Sequence, residues 1–505
     1  MNSKQLLSLG ATVALMGGQA SAFWRMECRG TTGQARIDPL ISPGTVADHA
    51  HQIFGSGGFG ETADYTSLVE SNCTSCAATQ DKSAYWTPIP YFKDDSTGEY
   101  EAVANVGGML AYYFLNGEDI KAFPKGFRMI AGDTNRRNYS VGDGDYQQPD
   151  PDKSLWRSLN QVTEDDLAQR ALGFNCLDYS KAAEGSLYRH FLPSKDYIDA
   201  NCPDGIRFEL MFPSCWDGKN LDSDDHMSHV AYPDLVINGD CPSDFPVRLP
   251  GLFYETIWDM HKFSDSKGIF VMSNGDPYGF GYHGDFIMGW EENDSFKLQD
   301  AVDVCTSTSG RVEDCPVFNL QDQSTMNECK IDLPGELLKE DVVGPLSGLP
   351  GDVQVFWGPG PASASDSEAT APSSVVLPTL TYSAGSTASV NGSFVPGNAF
   401  KAASTSTSTS TPEPMAEAVK GAAVVTPAVS SPPTGPADIA TSTAYETTTL
   451  ADGTVLVNEV VYVEVIDYVT VGTTTTVYVD PTGAPAARRR SAHAHHHRHV
   501  HGRAH

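Results

Sequence analysis

Positive charge is scarce in this chain. It carries 33 Lys and Arg against 64 Asp and Glu, which gives a formal net charge of −31 at pH 7. A surface of this sign repels the phosphates of DNA and RNA, so the composition argues against a nucleic-acid partner. It suits an acidic or extracellular setting instead.

Long apolar runs are missing as well. One apolar stretch, residues 6–16, follows Lys4 and precedes the small residues 20–22. This is the pattern of a secretory signal over residues 1–22, and the stretch is too short to span a bilayer. No other stretch approaches membrane length. We therefore expect no membrane span and an exported chain, secreted to the extracellular space or associated with a cell wall.

Cysteine is absent beyond residue 329. All ten cysteines lie between Cys28 and Cys329, and an even number in an exported chain predicts disulfides, about five in all. Cys73 and Cys76 have the C-x-x-C spacing of redox and zinc sites, but a single such pair in an exported chain favours structural bridges. Four N-x-S/T sequons, which predict a glycoprotein, begin at Asn72, Asn138, Asn293 and Asn391.

Composition divides the chain into segments. The predicted bounds are 1–22 for the signal peptide, 23–335 for a globular β-rich domain, 336–444 for a Ser/Thr/Pro/Ala-rich linker or stalk, 445–480 for a Val/Thr-rich β-prone segment and 481–505 for an Arg/His-rich tail. The stalk has too few aromatic side chains to bury a core, so we expect it to be disordered and O-glycosylated. The tail holds seven of the fourteen His and could bind divalent metal.

Strand signals outnumber helix signals in the globular part. Apolar or alternating stretches that predict strands occur at residues 108–115, 126–130, 206–212 and 268–272. One helix is well marked, with Thr163 as its cap, Asp166 three residues on and Gly173 as its expected end. Since few helices alternate with strands, a parallel α/β sheet is disfavoured. We predict a mainly β, disulfide-stabilised β-sandwich of jelly-roll type with long loops.

Residues 202–233 are the stretch around which we expect the domain to be organised. A strand pattern of period two begins at Ile206 and ends at Pro213. The loop after it is rich in aromatic, acidic and imidazole groups, and loops delivered by strands commonly carry binding or catalytic sites. Two other stretches, residues 48–51 and 282–285, also place His beside Asp. We expect the fold to bring the three stretches together.

Four ordered motifs carry a resemblance to a known family. They are DHAHQIFG at residues 48–55, KSAYWTP at 82–88, HMSHVAYP at 226–233 and GYHGDF at 281–286. Together they resemble a secreted fungal family catalogued as domain of unknown function nineteen ninety-six, over about residues 37–290. The resemblance implies a fungal protein that is extracellular or wall-associated. It implies no particular activity.

The histidines have three competing interpretations, of which the first is a metal site. His49 and His51 are two residues apart, so on a strand their side chains point to the same face. Together with His226, His229 and His283, they could supply three or more imidazoles to one divalent metal, with copper or zinc as the candidates. Nearby carboxylates that could orient the imidazoles are Asp48, Asp225 and Asp285.

The second interpretation is acid–base catalysis on cell-wall polysaccharide. A lyase would need a cation beside a uronate carboxyl, whereas a glycoside hydrolase would need two carboxylates. The candidate catalytic residues are His226, His229, His283, Asp285, Asp225, Tyr282 and Lys82. The candidate substrate-binding residues are Trp86, Trp216, Tyr85 and Arg207. Carboxylates available to a hydrolase are Asp217, Asp225, Glu255, Asp276 and Asp285.

The third interpretation is that these groups only fix long loops, because buried polar groups need partners. Our leading expectation is an exported protein that acts on or binds cell-wall polysaccharide through its His/Asp cluster. The alternative is a non-catalytic wall-associated or metal-binding structural protein.

Overall fold

The computed structural model of the protein describes residues 22–358, 439–449 and 455–465. The predicted signal peptide up to residue 21, residues 359–438 of the predicted stalk and the Arg/His-rich tail lie outside these ranges. Residues 22–358 form one unit, and the two later ranges belong to another.

Strands dominate the described residues. The strands are β1 (Ala22–Cys28), β2 (Gly33–Ala35), β3 (His51–Gly55), β4 (Ala84–Pro88), β5 (Pro90–Asp94), β6 (Tyr100–Ala102), β7 (Asn105–Leu115), β8 (Arg128–Gly132), β9 (Leu172–Cys176), β10 (Ile206–Met211), β11 (Cys215–Trp216), β12 (Val230–Ala231), β13 (Val247–Arg248), β14 (Gly251–Trp258), β15 (Gly268–Met272), β16 (His283–Ile287), β17 (Ile439–Thr449) and β18 (Val455–Val465). The helices are α1 (Tyr65–Val69), α2 (Glu164–Arg170), α3 (Lys195–Asn201), α4 (Leu298–Val304) and α5 (Gln323–Glu328). Short 3₁₀ turns lie at Lys153–Leu155, Met260–Phe263, Val312–Asp314, Leu337–Lys339 and Pro350–Asp352.

Two five-stranded antiparallel sheets form the sandwich, and this confirms the predicted fold class. The first sheet has the order β1-β7-β14-β10-β9, and the second has the order β2-β3-β4-β16-β8. The sheets meet face to face, where the Tyr254 hydroxyl of the first donates to the Asp285 carbonyl of the second at 2.8 Å. A Cβ at Gly284 would lie 2.6 Å from Leu210 Cδ2, so this close approach requires glycine.

Three hydrophobic clusters stabilise the unit. The largest lies between the two sheets, where Tyr85, Tyr113 and Tyr254 are fully buried. Another covers the outer face of the first sheet. The third covers the outer face of the second sheet and contains Ile53, Trp86, Ile130 and Ile287. Since both faces of the second sheet are buried, polar groups on its outer face are shielded from solvent as well.

The predicted helix is α2, and its start is confirmed. The Thr163 hydroxyl accepts from the Asp166 backbone N–H, and the two residues form a capping box. Its predicted end at Gly173 is wrong, since the helix ends at Arg170 with Ala171 as its C-cap. Gly173 lies in β9, where a Cβ would stand 2.5 Å from the Glu209 carboxylate.

All ten cysteines are paired, as predicted. The five disulfides are Cys28–Cys76, Cys73–Cys329, Cys176–Cys202, Cys215–Cys241 and Cys305–Cys315. Cys73 and Cys76 belong to different bridges, so the C-x-x-C spacing is structural. Cys73–Cys329 joins positions 256 residues apart and ties the chain after α5 to the loop after α1.

Chain beyond the predicted domain boundary at residue 335 still packs on the sandwich. Leu337, Val342 and Leu349 are buried, and the Tyr91 hydroxyl donates to the Val342 carbonyl at 2.6 Å. In the other unit, β17 and β18 pair antiparallel. This pair overlaps the segment predicted to be β-prone and begins before it.

Candidate metal centre

Three imidazoles converge on the outer face of the second sheet. His51 opens β3 and His283 opens β16, and β4 runs between these two strands. Residues directly opposite each other on neighbouring strands point to the same face of the sheet. His51 lies opposite Pro88, and Asp285 lies opposite Trp86. Because Pro88 and Trp86 are two residues apart on β4, and His283 and Asp285 are two apart on β16, His51 and His283 share one face. His49 precedes β3 by two positions and reaches the same place. The sheet register, rather than any local motif, brings these histidines together.

The distances between the three rings are short. The Nε2 atoms of His49 and His283 lie 3.1 Å apart. Ring centroids are 4.3 Å apart for His49–His51, 5.1 Å for His49–His283 and 5.8 Å for His51–His283. One ring nitrogen from each of the three lies within 4.8 Å of the others. Among the described residues, these form a group of the size that one ion can bind.

Burial keeps these imidazoles neutral. His51 and His283 are only 0% and 3% exposed, and His49 is half-buried. Loss of solvent lowers the pKa of His283 to about 4 and the pKa values of His49 and His51 well below their usual range. Repulsion among the rings and from Arg137 lowers the pKa of His49 further. Neutral imidazole is the form that binds metal.

A backbone contact orients His283. Its Nδ1 lies 2.9 Å from the Gly281 carbonyl oxygen, which can only accept a hydrogen bond. The Nδ1 atom therefore carries the proton, and the Nε2 lone pair faces His49. A donor bond from the second ring nitrogen is the usual way to fix a metal-binding imidazole. Asp276 holds the same loop by accepting from the Gly281 N–H at 2.6 Å.

His51 lacks comparable partners. Both of its ring nitrogens are buried and neither makes a hydrogen bond. The nearby Ile37 backbone favours the charged ring slightly, but desolvation and the His283 ring outweigh it. A buried polar group left unpaired costs about 1–3 kcal/mol, so a residue of this kind requires an explanation. Ligation of an ion by one nitrogen would supply it.

The spacing between His49 and His283 is near that of two ligands on zinc or copper. With metal–nitrogen bonds of about 2.0–2.1 Å, two ligands of a tetrahedral ion lie about 3.3–3.4 Å apart. The 3.1 Å between His49 and His283 is close to this value. It is also the distance of a hydrogen bond between two neutral rings, so the pair alone does not distinguish the two arrangements. The third ring, His51, has two buried nitrogens that make no hydrogen bond, and it favours the metal.

Asp285 adds an unpaired carboxylate on the same face. It is 1% exposed, and both of its oxygens are buried without a hydrogen bond. It lies two residues beyond His283 on β16, and the carboxylate of Asp38 is close enough to repel it. Burial and this repulsion raise the pKa of Asp285 well above its usual range. Asp38 itself accepts from the backbone N–H groups of Leu40 and Ile41.

The other two predicted histidines have protein partners at both nitrogens. His226 contacts Asp222 Oδ1 at 2.6 Å and the Leu40 carbonyl at 3.1 Å. His229 contacts Ser223 Oγ and the Arg128 carbonyl, both at 2.9 Å. Neither histidine joins the three-imidazole group. The predicted five-histidine site is therefore divided into a converging triad and two loop-fixing residues.

Asp225 and Trp216 also serve the loop that carries these two histidines. Asp225 accepts from the backbone N–H groups of Met227 and Ser228 at 3.0 and 2.8 Å, which lowers its pKa. Trp216 is half-buried, and its indole N–H donates to the Asn220 carbonyl at 2.7 Å. The structure shows local structural partners for both.

Three aromatic candidates lie in the core. Tyr85, Trp86 and Tyr282 are each 0% exposed. The Tyr85 hydroxyl contacts Asp81 and Tyr113 between the sheets, both at 2.7 Å. Trp86 packs on Phe59, and Tyr282 packs on Phe208. None presents an exposed ring face on which a sugar could stack.

The two candidate cations lie away from the triad. Lys82 precedes β4, at the end opposite the Pro88 end beside His51, and its ammonium contacts Glu291 at 2.6 Å. Arg207 lies on the outer face of the first sheet, where it pairs with Glu209 at 2.8 Å and both side chains are fully buried. Neither can neutralise the carboxyl of a uronate held at the triad.

Sequence reasoning missed how His283 is supported, although it named Asp276 as a candidate carboxylate for a hydrolase. The chain that leads into β16 is held by the Gly281 carbonyl, Asp276 and the buried Arg137. Arg137 donates to the Asn274 carbonyl at 2.6 Å. Only the Asn-Gly and Gly-rich character of residues 274–281 could have indicated a tight turn there. Nothing in the sequence indicated a role for Asp38, because only the fold places its carboxylate near that of Asp285.

These features define a class of protein: a disulfide-bonded β-sandwich with a three-histidine candidate metal centre on one sheet. The family described as "Domain of unknown function (DUF1996)" matches residues 38–290, which include all three histidines. The chain belongs to this family. No curated protein and no solved structure matches it. Five disulfides fit an oxidising compartment, and no helix among the described ranges is long and apolar enough to cross a membrane.

Proposed function

We propose that this protein is exported and acts on cell-wall polysaccharide with one divalent ion, zinc or copper, held by His49, His51 and His283. The convergence of three neutral imidazoles, with nitrogens no more than 4.8 Å apart, is the observation that carries the proposal. Zinc and copper are the ions that favour imidazole ligands, and three protein ligands leave a position open for water or substrate.

Asp285 has a role in this proposal. Its carboxylate does not belong to the group of atoms that spans 4.8 Å, so it would lie beyond the first ligand sphere. A water on the ion can bridge such a gap, and the unpaired Asp285 oxygens would accept its hydrogen bond. This arrangement would orient the water and favour its deprotonation, which is the chemistry of metal-assisted hydrolysis.

Polysaccharide is proposed as the substrate on weaker grounds. An exported, acidic domain followed by a Ser/Thr-rich segment suits a wall-associated protein. A uronate lyase receives less support than hydrolysis, because Lys82 and Arg207 lie away from the triad. A second candidate function, a non-catalytic metal-binding wall protein, is favoured by the complete burial of His51.

The first test is metal content. We would purify the full chain without nickel, remove loosely bound ions and measure zinc and copper by mass spectrometry. The same measurement on His51→Ala/His283→Ala controls for the His-rich tail, which is identical in both proteins. We expect the wild type to retain about one more ion per chain than the variant. Equal metal content in the two proteins would contradict the proposal.

Activity separates the two candidate functions. The metal-loaded chain would be incubated with wall polysaccharides, and new reducing ends would be counted. Release that is lost in the double variant and after metal removal supports metal-dependent hydrolysis. Retention of one ion with no release from any polysaccharide supports the non-catalytic alternative.

A further inference from the structure

A cavity lies next to the strand position of His283 and has not been assigned a role. It has a volume of about 260 Å³. Gly132, which lines it, is the direct cross-strand partner of His283. Met227, which also lines it, follows His226. Pockets for drug-sized ligands commonly measure about 300–1,000 Å³, so this volume suits one small ring.

The cavity is negatively charged. Its ionisable lining consists of Asp133, Arg136, Glu164 and Asp165. The Arg136 guanidinium is already paired, at 2.5 Å from Asp165 and 4.0 Å from Asp133. The cavity therefore holds three carboxylates and one guanidinium that is already paired with two of them. An anionic ligand would be repelled.

The Glu164 carboxylate is held in one orientation. Both of its oxygens accept from the Tyr232 backbone N–H, at 2.9 and 3.2 Å. The residue as a whole is exposed, yet its carboxylate is turned under the Tyr232 backbone, and the loss of solvent there raises its pKa. Each oxygen retains capacity for one more donor, such as an ammonium or a hydroxyl.

An apolar wall faces these carboxylates. Phe280 is 4% exposed and Met227 is 40% exposed, and both line the cavity. The exposed part of this wall is Met227, and an apolar surface beside directed polar groups suits a ligand with one apolar and one polar side. A sugar ring has C–H groups on its faces and polar groups on its edge, and it fits this arrangement.

We propose that this cavity binds a sugar that carries a free amine, with its ammonium toward Asp133 and Glu164. The inference rests on the proposed function, because it makes the cavity the substrate subsite beside the three histidines. It narrows the substrate class to amino-sugar polymers and excludes uronate polymers, whose carboxylates would meet Asp133, Glu164 and Asp165.

The test compares three hexasaccharides: β-1,4-linked glucosamine, the same chain N-acetylated, and galacturonic acid. Binding to the full chain would be measured by calorimetry at about 0.15 M salt, where attraction by distant surface charges is screened. We expect the glucosamine hexamer to bind at least about tenfold more tightly than its neutral acetylated form, and the galacturonate hexamer not to bind.

Matched variants locate the effect. Asp133→Asn/Glu164→Gln removes two charges from the cavity, and we expect it to abolish the tenfold preference. Asp119→Asn/Asp303→Asn removes two carboxylates that line a different depression, and we expect it to keep the preference. Equal loss in both variants, equal affinity for the three hexamers or no binding at all would overturn the inference.

Measuring metal content separates failure of the proposed sugar subsite from failure of the proposed metal-dependent function. If the chain holds its ion but no hexamer binds, the subsite is wrong and the metal centre stands. If the chain holds no ion but the glucosamine hexamer binds with the expected preference, the cavity is a binding site independent of metal.

Discussion

The Nε2 atoms of His49 and His283 lie 3.1 Å apart, although 234 positions separate the two residues in the chain. His283 opens β16 and His49 lies two residues before β3, and both of these strands neighbour β4, so the sheet brings the two residues together. Because the Gly281 carbonyl accepts a hydrogen bond from the Nδ1–H of His283, the Nε2 atom of this ring carries a lone pair, and two lone-pair nitrogens can face the same point. This relationship is the basis of the first prediction.

Replacing a triad histidine should remove the response of thermal stability to metal. We expect zinc to raise the melting temperature of the wild type and to leave His283→Ala unchanged, since an ion that binds only the folded state stabilises it by mass action. At a free ion concentration about 100-fold above the dissociation constant, the gain is about 2.7 kcal/mol. Calorimetric scans with and without zinc measure it. An equal rise in both proteins would place the ion elsewhere.

His229 should behave in the opposite way. Both of its nitrogens contact protein atoms, and it is 1% exposed. We expect His229→Ala to lower the free energy of unfolding by about 1–3 kcal/mol, because Ser223 and the Arg128 carbonyl lose a partner. Metal content should stay at the wild-type level. Denaturant unfolding and mass spectrometry of the same sample check both parts, and loss of the ion would instead assign His229 to the centre.

How far the sequence predicted these histidines can be stated in physical terms. The spacing of His49 and His51 indicated one shared face, because side chains alternate along a strand. The spacing of His226 and His229 indicated neighbours on a helical turn. In the structure this stretch is a loop, His226 has a left-handed φ of 57°, and its ring reaches the Leu40 carbonyl across 186 positions. No local pattern reports a partner so distant.

The aromatic and cationic candidates show a different limit of prediction from sequence, which is that burial of a side chain cannot be predicted reliably. Alternation around Arg207 predicted a strand, and β10 confirms it, but the outer face of that strand is buried too. Arg207 and Glu209 then form an ion pair in the protein interior. Tyr85 and Trp86 likewise face two different buried clusters from one strand. Composition cannot distinguish a half-exposed strand from one covered on both sides by loops and helices.

Asp285 provides a prediction in which two properties change in opposite directions. Its carboxyl group is buried without a hydrogen bond and its pKa is raised, so Asp285→Asn should stabilise the metal-free protein increasingly as pH rises, because asparagine cannot ionise in this poorly solvated position. If the same oxygens orient a water on the ion, the variant should bind metal about 10–100-fold more weakly. Unfolding of the metal-free chain and zinc titration measure the two effects. Weaker stability without metal, together with unchanged affinity, would show that Asp285 has an internal partner.

Stability should also depend on pH through Asp81, which lies between the sheets and accepts from the Tyr85 hydroxyl at 2.7 Å. Burial raises its pKa to about 6. An aspartate whose pKa is higher in the folded state than in the unfolded chain stabilises the fold when protonated, and this contribution is lost as pH rises. We therefore expect the free energy of unfolding to fall by about 3 kcal/mol between about pH 4 and pH 6 through this residue.

The Asp81→Asn variant isolates that effect. Asparagine keeps an oxygen for the Tyr85 hydroxyl but does not ionise, so the variant should lack the Asp81 part of the pH dependence. Glu209, whose pKa burial raises to about 7, should leave a residual decrease of the same sign in both proteins. The difference between wild-type and variant unfolding free energies, measured from pH 4 to about pH 8, should therefore change mainly below pH 7. A constant difference across that range would mean that Asp81 stays ionised in the folded protein.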